Sequence, residues 1–546
     1  MKARGLLWPH YLESGIKITL TDVLDVLLDL SVNWRVSLWF DVRVTYIDDR
    51  GNVSLPLVVV DEPGHVPLLR MEQIAGLDES AYTSAVRSIA RFLTSTPDTD
   101  YGNEFPLAAI EALRRDETRS REAILSALGG YDVFDDLLSL RDVQSVWPAV
   151  SPREWVMLQD KYIRPVVGAQ VPLENILLLN QPLLAAVRRL MNDIPTYRLL
   201  NTLGWMFAYS YSWIVSKDFD DLQDYTSPTR GVTQGLEGNS FTYVICLAAV
   251  QEYFSVATMA PLFNTRLSAQ DRQEVASLLN ASVEQLGSIV RASEGASNAT
   301  RTEFSAKIDA FSHRRLFPLK LIEDVDVIDS LYASFPSPDT VHDFYQSWLE
   351  SRKALRAKLT PGFSGDVLTA KPRWYAAEIV YAYSMNLMFI GLVTILPPSY
   401  SWHGSRVMTY AGLGFQFARQ LVKSMDQRGR LVRHSGEKAN WWGHEQLCKF
   451  DRAESPKYKA YIRDLFALTV ALSTMKNVST VDASPLRLKL LEDWTSEQTF
   501  YVSYCSHFCG QYGARDMCDL AMNASEFRKA FKCQVRISDD NSCLFV

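Results

Sequence analysis

The chain has 546 residues, 47% of them hydrophobic and 22% charged, which is ordinary for a soluble globular protein of two or more domains. Its formal net charge of −7 argues against a nucleic-acid binder, which normally has a basic excess. The sequence has no run of roughly 18 apolar residues, so we expect no membrane span, and the apolar core near the N-terminus is too short for a signal peptide. Taken alone, these totals point to the cytosol.

The first predicted strand covers residues 36–47, where apolar and polar side chains alternate strictly. Such alternation is typical of a half-buried strand, and the turn DDRGN followed by VSLPLVVV predicts a β-hairpin. From about Tyr82 to Leu355 apolar residues recur at three- and four-residue spacing, for example in VFDDLLSLRDVQSVW and PLLAAVRRLMNDI. This spacing predicts a large helical region.

The C-terminal third of the chain has a different composition. Residues 378–400 are rich in aromatic and β-branched residues and end at a Pro-Pro pair, which predicts two strands. The segment MTYAGLGFQFARQLVKSMDQRGR, Met408–Arg430, then predicts a helix. Phe417, Leu421 and Met425 lie at i, i+4 and i+8, so we expect them to form its buried apolar stripe.

The end of this helix is predicted at Gly429, because glycine after arginine-rich last turns is typical of a C-cap. A further apolar helix around YIRDLFALTVALSTM and a cysteine-rich tail follow. The predicted fold is α+β and mostly α-helical. We expect a β-hairpin and a large helical domain in residues 1–360, and a smaller mixed α/β domain in residues 361–546.

The cysteines indicate a different cellular compartment from the cytosol, which composition and charge alone suggest. Six of the seven lie in the last hundred residues: Cys448, Cys505, Cys509, Cys518, Cys533 and Cys543. Their spacing lacks the two close pairs of a zinc ribbon, so disulfides are favoured over a metal site, and disulfides imply an oxidising compartment. Five N-glycosylation sequons agree with an extracellular glycoprotein: Asn52, Asn280, Asn298, Asn477 and Asn523.

The order of motifs resembles that of the neprilysin and endothelin-converting-enzyme family of zinc metallopeptidases. VYAY at 380–383 resembles the family's strand V-N-A-[YF]-Y, and ILPPSY at 395–400 resembles I-L-Q-P-P-F-F. The helix TYAGLGFQFARQLVKSMDQRGR resembles N-Y-G-G-I-G-x-x-I-G-H-E-x-x-H-x-F-D-x-x-G-R, and NASEFRKAFKC resembles N-S-x-E-F-x-x-A-F-x-C. The resemblance implies a large helical domain over a thermolysin-like domain, an extracellular location and proteolysis by a metalloendopeptidase.

The residues at the family's catalytic positions contradict that activity. The first His ligand, the general-base Glu and the second His ligand fall on Arg419, Gln420 and Lys423. Arg has no lone pair for a metal, Lys is an ammonium unless strongly desolvated, and Gln cannot act as a base. The third ligand of the family, a Glu on a second helix, falls on Ala460 in the best alignment of that helix.

Other family positions are kept, replaced or missing. Asp464 matches the family's Asp that accepts a hydrogen bond from the first ligating His. The family's substrate-holding Asn falls on Tyr381, so the resemblance places Tyr381 and Ala382 at the substrate cleft. The family's late H-S-P-x-x-x-R segment does not fit between Gly510 and Asn523.

The retained aspartate suggests a replacement for the metal. We expect Arg419 and Asp464 to form an ion pair where the zinc would lie, with Lys423 and Asp426 as a second pair at i+3. A partly buried cation without a partner would cost several kcal/mol, so compensation of this kind is favoured.

No other residues supply the lost ligands, because the eight histidines include no i, i+4 pair. The cluster His444, Glu445 and Cys448 is typical of a solvated loop. We therefore expect a zinc-free, inactive pseudopeptidase, without a cofactor, that binds a peptide or protein. The alternatives are an active metalloendopeptidase with non-standard ligands and a truncated family member without a function.

The resemblance also implies disulfide pairings. Cys448 would pair with Cys543. Three further cysteines would bond to partners ahead of the first residue of this chain: Cys246, Cys509 and Cys533. Cys505 and Cys518 have no family counterpart, and we expect that they pair locally.

Overall fold

The computed structural model describes residues 1, 4–6, 8–9, 17–49, 52–94, 106–128, 135–139, 142, 147, 149–168, 176–215, 239–292, 297–313, 324–337, 343–358, 379–383, 386–401, 404–435, 437–442, 456–478, 489, 492–510 and 514–533. The chain divides into two compact units, Met1–Thr258 with Val325–Ala370, and Met259–Asp324 with Lys371–Val546. The second unit thus includes residues 259–324 besides the C-terminal segment. The expected domain boundary at residue 360 stays a prediction.

Helices dominate the described residues, which confirms the mostly α-helical fold. The α-helices are α1 (Leu20–Leu28), α2 (His65–Ala75), α3 (Glu79–Thr94), α4 (Leu107–Leu128), α5 (Pro152–Tyr162), α6 (Arg164–Val167), α7 (Gln181–Asp193), α8 (Thr196–Tyr211), α9 (Asn239–Arg266), α10 (Ala269–Ala292), α11 (Asn298–His313), α12 (Val325–Tyr332), α13 (Phe344–Ala357), α14 (Arg406–Thr409), α15 (Phe415–Leu421), α16 (Pro456–Val478), α17 (Ser496–His507), α18 (Ala514–Asn523) and α19 (Ser525–Phe531). The strands are β1 (Asp41–Asp49), β2 (Asn52–Asp61), β3 (Asp135–Ser139), β4 (Ile176–Asn180), β5 (Ile379–Ala382) and β6 (Leu387–Ile390).

The first unit contains a four-stranded sheet with the order β1-β2-β4-β3. The predicted hairpin is confirmed as β1 and β2, which pair antiparallel with Val42 opposite Val60. The strand begins at Asp41 and not at Val36, although Val36 is fully buried. The Val36 N–H instead donates to the Leu30 carbonyl at 2.8 Å, which ties residues just before the strand to the preceding helical turn.

The predicted mostly helical region, residues 82–355, also contains two strands, and the helix predicted in VFDDLLSLRDVQSVW is wrong where β3 lies. β3 and β4 pair antiparallel with each other, and β4 also pairs parallel with β2. Apolar runs of five residues cannot be assigned to helix or strand from periodicity alone, so the backbone pairing decides. The helix predicted in PLLAAVRRLMNDI is confirmed as α7, where the Asn180 side chain accepts from the Leu183 N–H at 3.1 Å.

One described helix, Tyr243–Arg266, is long and apolar enough to cross a membrane by length and composition. The prediction that no segment of this kind exists is therefore too strict. Such a helix is weak evidence for a span, because core helices pass the same test, and 44% of its most apolar window is buried inside the protein.

The second unit contains the β5–β6 hairpin, in which Ile379 lies opposite Ile390, as predicted for this region. The predicted helix at 408–430 consists of α14, a π-helical turn (Tyr410–Gly414), α15 and a 3₁₀ turn (Val422–Met425). The helix ends at Met425, so the predicted C-cap at Gly429 is wrong. The Asp426 carboxylate accepts from the backbone N–H of Gly429 at 3.0 Å and forms a tight turn there instead.

Candidate functional site

The helix α15 has one buried face and one partly open face. Phe417, Leu421 and Met425 are all buried, which confirms the predicted apolar stripe. Phe415 packs edge-on against Tyr504 with 4.7 Å between ring centroids. The partly exposed residues on the other face are Gln416, Arg419 and Gln420.

The expected ion pair between α15 and α16 is present. Arg419 Nε donates to Asp464 Oδ1 at 2.8 Å, and the Asp464 side chain is only 5% exposed. A second guanidinium, that of Arg463, lies 3.6 Å from the same oxygen. Hydrogen bonds between charged groups are stronger than neutral ones, so this pair joins the two helices firmly.

Gln420 contacts the neighbouring strand β5. Its Oε1 accepts from the Tyr381 backbone N–H at 3.4 Å. The Tyr381 ring is 2% exposed, and its hydroxyl donates to Asn386 Oδ1 at 2.7 Å. Tyr381 was predicted at the substrate cleft, but its side chain is thus directed into the protein, and only its backbone faces Gln420. The side chain of Ala382 lies outside the described residues.

Lys423 is buried, one helical turn beyond Arg419. The carboxylate of Asp426, suggested as its partner, accepts from the Tyr383 hydroxyl at 2.7 Å and from the Arg428 N–H at 2.9 Å. The second ion pair stays a prediction.

Ala460 lies one turn before Asp464 on α16 and is partly exposed. Its methyl group cannot bind a metal, and neither can the cations of Arg419 and Lys423. Within the described residues, no group of three or more His, Cys, Asp or Glu side chains is placed to hold a metal ion. The side chains at the family's ligand positions therefore do not fit zinc. The catalytic roles assigned to these positions rest on the motif resemblance and stay predictions.

Tyr504 on α17 adds a buried hydroxyl to the site. The residue is fully buried, and its hydroxyl makes no hydrogen bond within the described part of the chain. Burial raises the pKa of Tyr504, the nearby Asp464 raises it further, and Arg419 lowers it. The hydroxyl thus lies within electrostatic range of both members of the ion pair.

Lys307 on α11 is a functional candidate that sequence analysis missed. It is fully buried, and its Nζ donates to the carbonyls of Gly429 and Val432, each at 2.7 Å. Burial lowers its pKa to about 7, although Asp426 and Glu303 act against this shift. Nothing in the sequence around Lys307 marks this lysine as buried. The two carbonyls that it contacts lie more than a hundred residues further along the chain.

The described histidines form no metal cluster. His507 contacts the side-chain amide of Gln416, and burial lowers the pKa of its imidazole. His434 lies 3.0 Å from the Glu303 carboxylate. The cluster His444, Glu445 and Cys448 lies outside the described residues.

The cysteine predictions have mixed outcomes. The local disulfide between Cys505 and Cys518 is confirmed, with 5.1 Å between their Cα atoms. The pair Cys448 and Cys543 lies outside the described residues. Three further cysteines are exposed thiols: Cys246, Cys509 and Cys533. The disulfide agrees with an oxidising compartment.

Comparison with known proteins gives curated relatives but no matching protein-family profile. Neprilysin-11 of Caenorhabditis elegans is 20% identical over 340 residues, which are 57% of this chain and 39% of the relative. Neprilysin-2 of the same organism is 18% identical over 295 residues, or 48% of this chain and 39% of the relative. The match therefore spans well under half the length of either curated relative.

Solved structures share the fold. The zinc metalloprotease Zmp1 of Mycobacterium tuberculosis aligns over 95% of this chain and 81% of its own, with a TM-score of 0.60 and 15% identity. PepO from Lactobacillus rhamnosis aligns over 97% and 85%, with a TM-score of 0.57 and 14% identity. A Haemonchus galactose-containing glycoprotein complex aligns over 98% and 84%, with a TM-score of 0.60 and 15% identity. In motif order, sequence similarity and fold, the chain is a relative of the neprilysin family of zinc metallopeptidases.

Proposed function

We propose that this chain is a zinc-free pseudopeptidase of the neprilysin type, which binds peptides or proteins without cleaving them. The observation that carries the proposal is the ion pair of Arg419 and Asp464. By motif resemblance, Arg419 aligns with the family's first zinc ligand. In the family, the aspartate that Asp464 matches accepts a hydrogen bond from the first ligating histidine. Here Asp464 accepts from Arg419 instead.

Each remaining catalytic position supports the same conclusion. A catalytic zinc site needs three protein ligands with available lone pairs and an open position for water. Lys423 brings a second cation within one turn of Arg419, and Ala460 brings no donor atom. Gln420 stands at the general-base position, where a neutral amide cannot take a proton from water.

Peptide binding is proposed because the elements around the old cleft persist without the catalytic groups. β5 still pairs with β6, and its other edge meets Gln420 through the backbone of Tyr381. A strand edge offers main-chain hydrogen bonds to an extended peptide. Binding there needs the Gln420 amide to move away from the Tyr381 N–H.

An extracellular location and glycosylation are part of the proposal. The disulfide between Cys505 and Cys518 supports an oxidising compartment. Three sequon asparagines have exposed side chains that a glycosyltransferase can reach: Asn298, Asn477 and Asn523.

The test is the zinc content and peptidase activity of protein secreted from a eukaryotic host. We expect well under one equivalent of zinc per chain by mass spectrometry and no cleavage of a quenched peptide library. The matched control is the variant with Arg419→His, Gln420→Glu, Lys423→His and Ala460→Glu, which restores the ligand types and should take up zinc. One tightly held equivalent of zinc in the unmodified chain, together with peptide cleavage, would overturn the proposal in favour of an active metalloendopeptidase.

A further inference from the structure

The open face around Arg419 carries hydrogen-bond donors that the protein itself does not use. Arg419 uses Nε for Asp464, while its two terminal nitrogens make no hydrogen bond in the described part of the chain. One third of its side chain is exposed, so these nitrogens are accessible from solvent. Gln420 likewise uses only Oε1, which leaves its amide N–H groups as donors.

The open side of the ion pair presents the Arg419 guanidinium. This guanidinium and that of Arg463 both approach the one carboxylate of Asp464, at 2.8 and 3.6 Å. Asp464 is buried, so its charge is directed at the arginines and not at solvent. A ligand that approaches the open side meets cationic donors first.

The side chain at position 460, near the ion pair, is short and partly exposed. Ala460 lies one turn from Asp464 and ends at its Cβ, where the family has a long glutamate. The buried Tyr504 hydroxyl, without a hydrogen bond in the described residues, is within electrostatic range of Arg419.

We propose that Arg419 and Gln420 form a carboxylate-binding site, in which a peptide carboxylate docks on the outer edge of the Arg419 guanidinium. The proposal rests on the proposed function, since it names the ligand class of a peptide-binding pseudopeptidase. A guanidinium edge offers two parallel N–H donors that match the two oxygens of a carboxylate. On this proposal the Arg419 guanidinium recognises an anion by hydrogen bonds and does not activate a carbonyl.

The first test compares three tetrapeptides by isothermal titration calorimetry at low ionic strength, where attraction between exposed charges is least screened. They are acetyl-tetraalanine with a free C-terminal carboxylate, its C-terminal amide, and an amidated analogue with one aspartate. A hydrogen-bonded charge pair corresponds to roughly tenfold or more in affinity. We therefore expect one or both acidic peptides to bind about tenfold tighter than the neutral amide.

The two acidic probes distinguish the source of the carboxylate. Preference for the free acid assigns the site to peptide C-termini, and preference for the aspartate peptide assigns it to acidic side chains. Equal binding of all three peptides would overturn the carboxylate site while leaving peptide binding intact. Stoichiometric zinc with cleavage would instead overturn the proposed function, so the two failures are distinguishable.

Three variants separate a guanidinium contact from general attraction. Asp464→Asn releases Arg419 from its internal partner, and we expect severalfold tighter binding of the acidic peptide. Arg419→Gln with Asp464→Asn removes one charge of each sign, so the net charge is unchanged, and we expect the preference for acidic peptides to disappear. Arg433→Gln, at an exposed arginine paired with Glu437, is the control that should change nothing. Retained preference in the double variant, with its fold verified by circular dichroism, would overturn the proposal.

Discussion

Two arginines in different units show opposite ways of placing a cation in a protein. Arg352 in the first unit is 1% exposed, and its guanidinium lies 4.1 Å from the Trp348 ring centroid and 5.1 Å from those of Tyr211 and Tyr253. Its Nη1 donates to the Trp34 carbonyl at 2.7 Å and also to the carbonyl of Arg35. Arg419 in the second unit has one carboxylate partner and leaves a third of its side chain in solvent.

The difference shows how a cation that stabilises the fold can be distinguished from a cation that is available to bind a ligand. Aromatic rings surround Arg352, its Nη1 donates to two main-chain carbonyls, and the side chain is buried, so its guanidinium is closed to a ligand from solvent. Arg419 is anchored on one edge and open on the other. A cation that is both anchored and open is suited to binding an anion, because its orientation is fixed before the ligand arrives.

The largest expected effect comes from removing the enclosed cation. Arg352→Met should lower the free energy of unfolding of the first unit by about 3–5 kcal/mol, because the Glu252 carboxylate loses a buried cation at 3.9 Å and two carbonyls lose their charged donor. Urea unfolding followed by circular dichroism measures this loss, with transitions of the two units fitted separately. Arg356→Met, at an exposed position on the same helix, is the control and should stay within about 0.5 kcal/mol. If Arg352→Met lost no more stability than Arg356→Met, Arg352 would not be a structural cation and its contrast with Arg419 would fail.

The buried Lys307 adds a third cation to the comparison, because its contribution to the stability of the protein should depend on pH. Its pKa is lowered from 10.5 to about 7, so the unfolded chain binds more protons than the folded chain between these two values. The stability of the protein should therefore rise with pH across this window, by roughly 4 kcal/mol relative to Lys307→Met, and the gain should be lost as the pH falls toward 7.

Unfolding of both proteins at several pH values measures the Lys307 effect. The control is Lys529→Met, since Lys529 is exposed and pairs with Glu526 at the surface. Parallel pH profiles for the wild type and Lys307→Met would contradict the low pKa. A neutral lysine still has two N–H donors for its two carbonyl partners, so deprotonation leaves the contacts intact.

The smallest expected effect comes from the open cation. Arg419→Met should cost about 1–2 kcal/mol, because Asp464 loses its nearest partner but Arg463 remains close by. The double variant Arg419→Met with Asp464→Leu should recover part of that loss, since the buried carboxylate is removed, although Arg463 then loses its contact with Asp464. A double-mutant cycle in urea measures the coupling. A cost for Arg419→Met as large as that for Arg352→Met would show that the two cations are equivalent.

The sequence correctly predicts one contact of the candidate site, the ion pair of Arg419 and Asp464. Alignment of the family's zinc-helix motif with residues 408–430 gives the i, i+4 positions of Arg419 and Lys423. Alignment of the family's second helix motif gives the retained Asp464. The ion pair follows in turn, because a half-buried cation beside a retained aspartate has an obvious partner. The disulfide of Cys505 with Cys518 follows from two cysteines that have no family counterpart.

The sequence does not predict contacts that depend on distant segments. β3 and β4 lie in a region of helical periodicity, and their strand form depends on pairing with each other and with β2. The helix end at Met425 depends on the Asp426 carboxylate, which bonds the following backbone N–H groups. Lys307 and Arg352 look like ordinary helical surface residues until the fold brings carbonyls and aromatic rings around them.

On the proposed function, the ion pair of Arg419 and Asp464 also has an evolutionary consequence, because a return to zinc chemistry would need several substitutions together. Arg419→His alone would leave a lysine at position 423 and Ala460 without a donor atom. Lys423→His alone would leave Arg419 paired with Asp464. Neither single substitution completes a set of zinc ligands, so neither would give selection an active peptidase to favour.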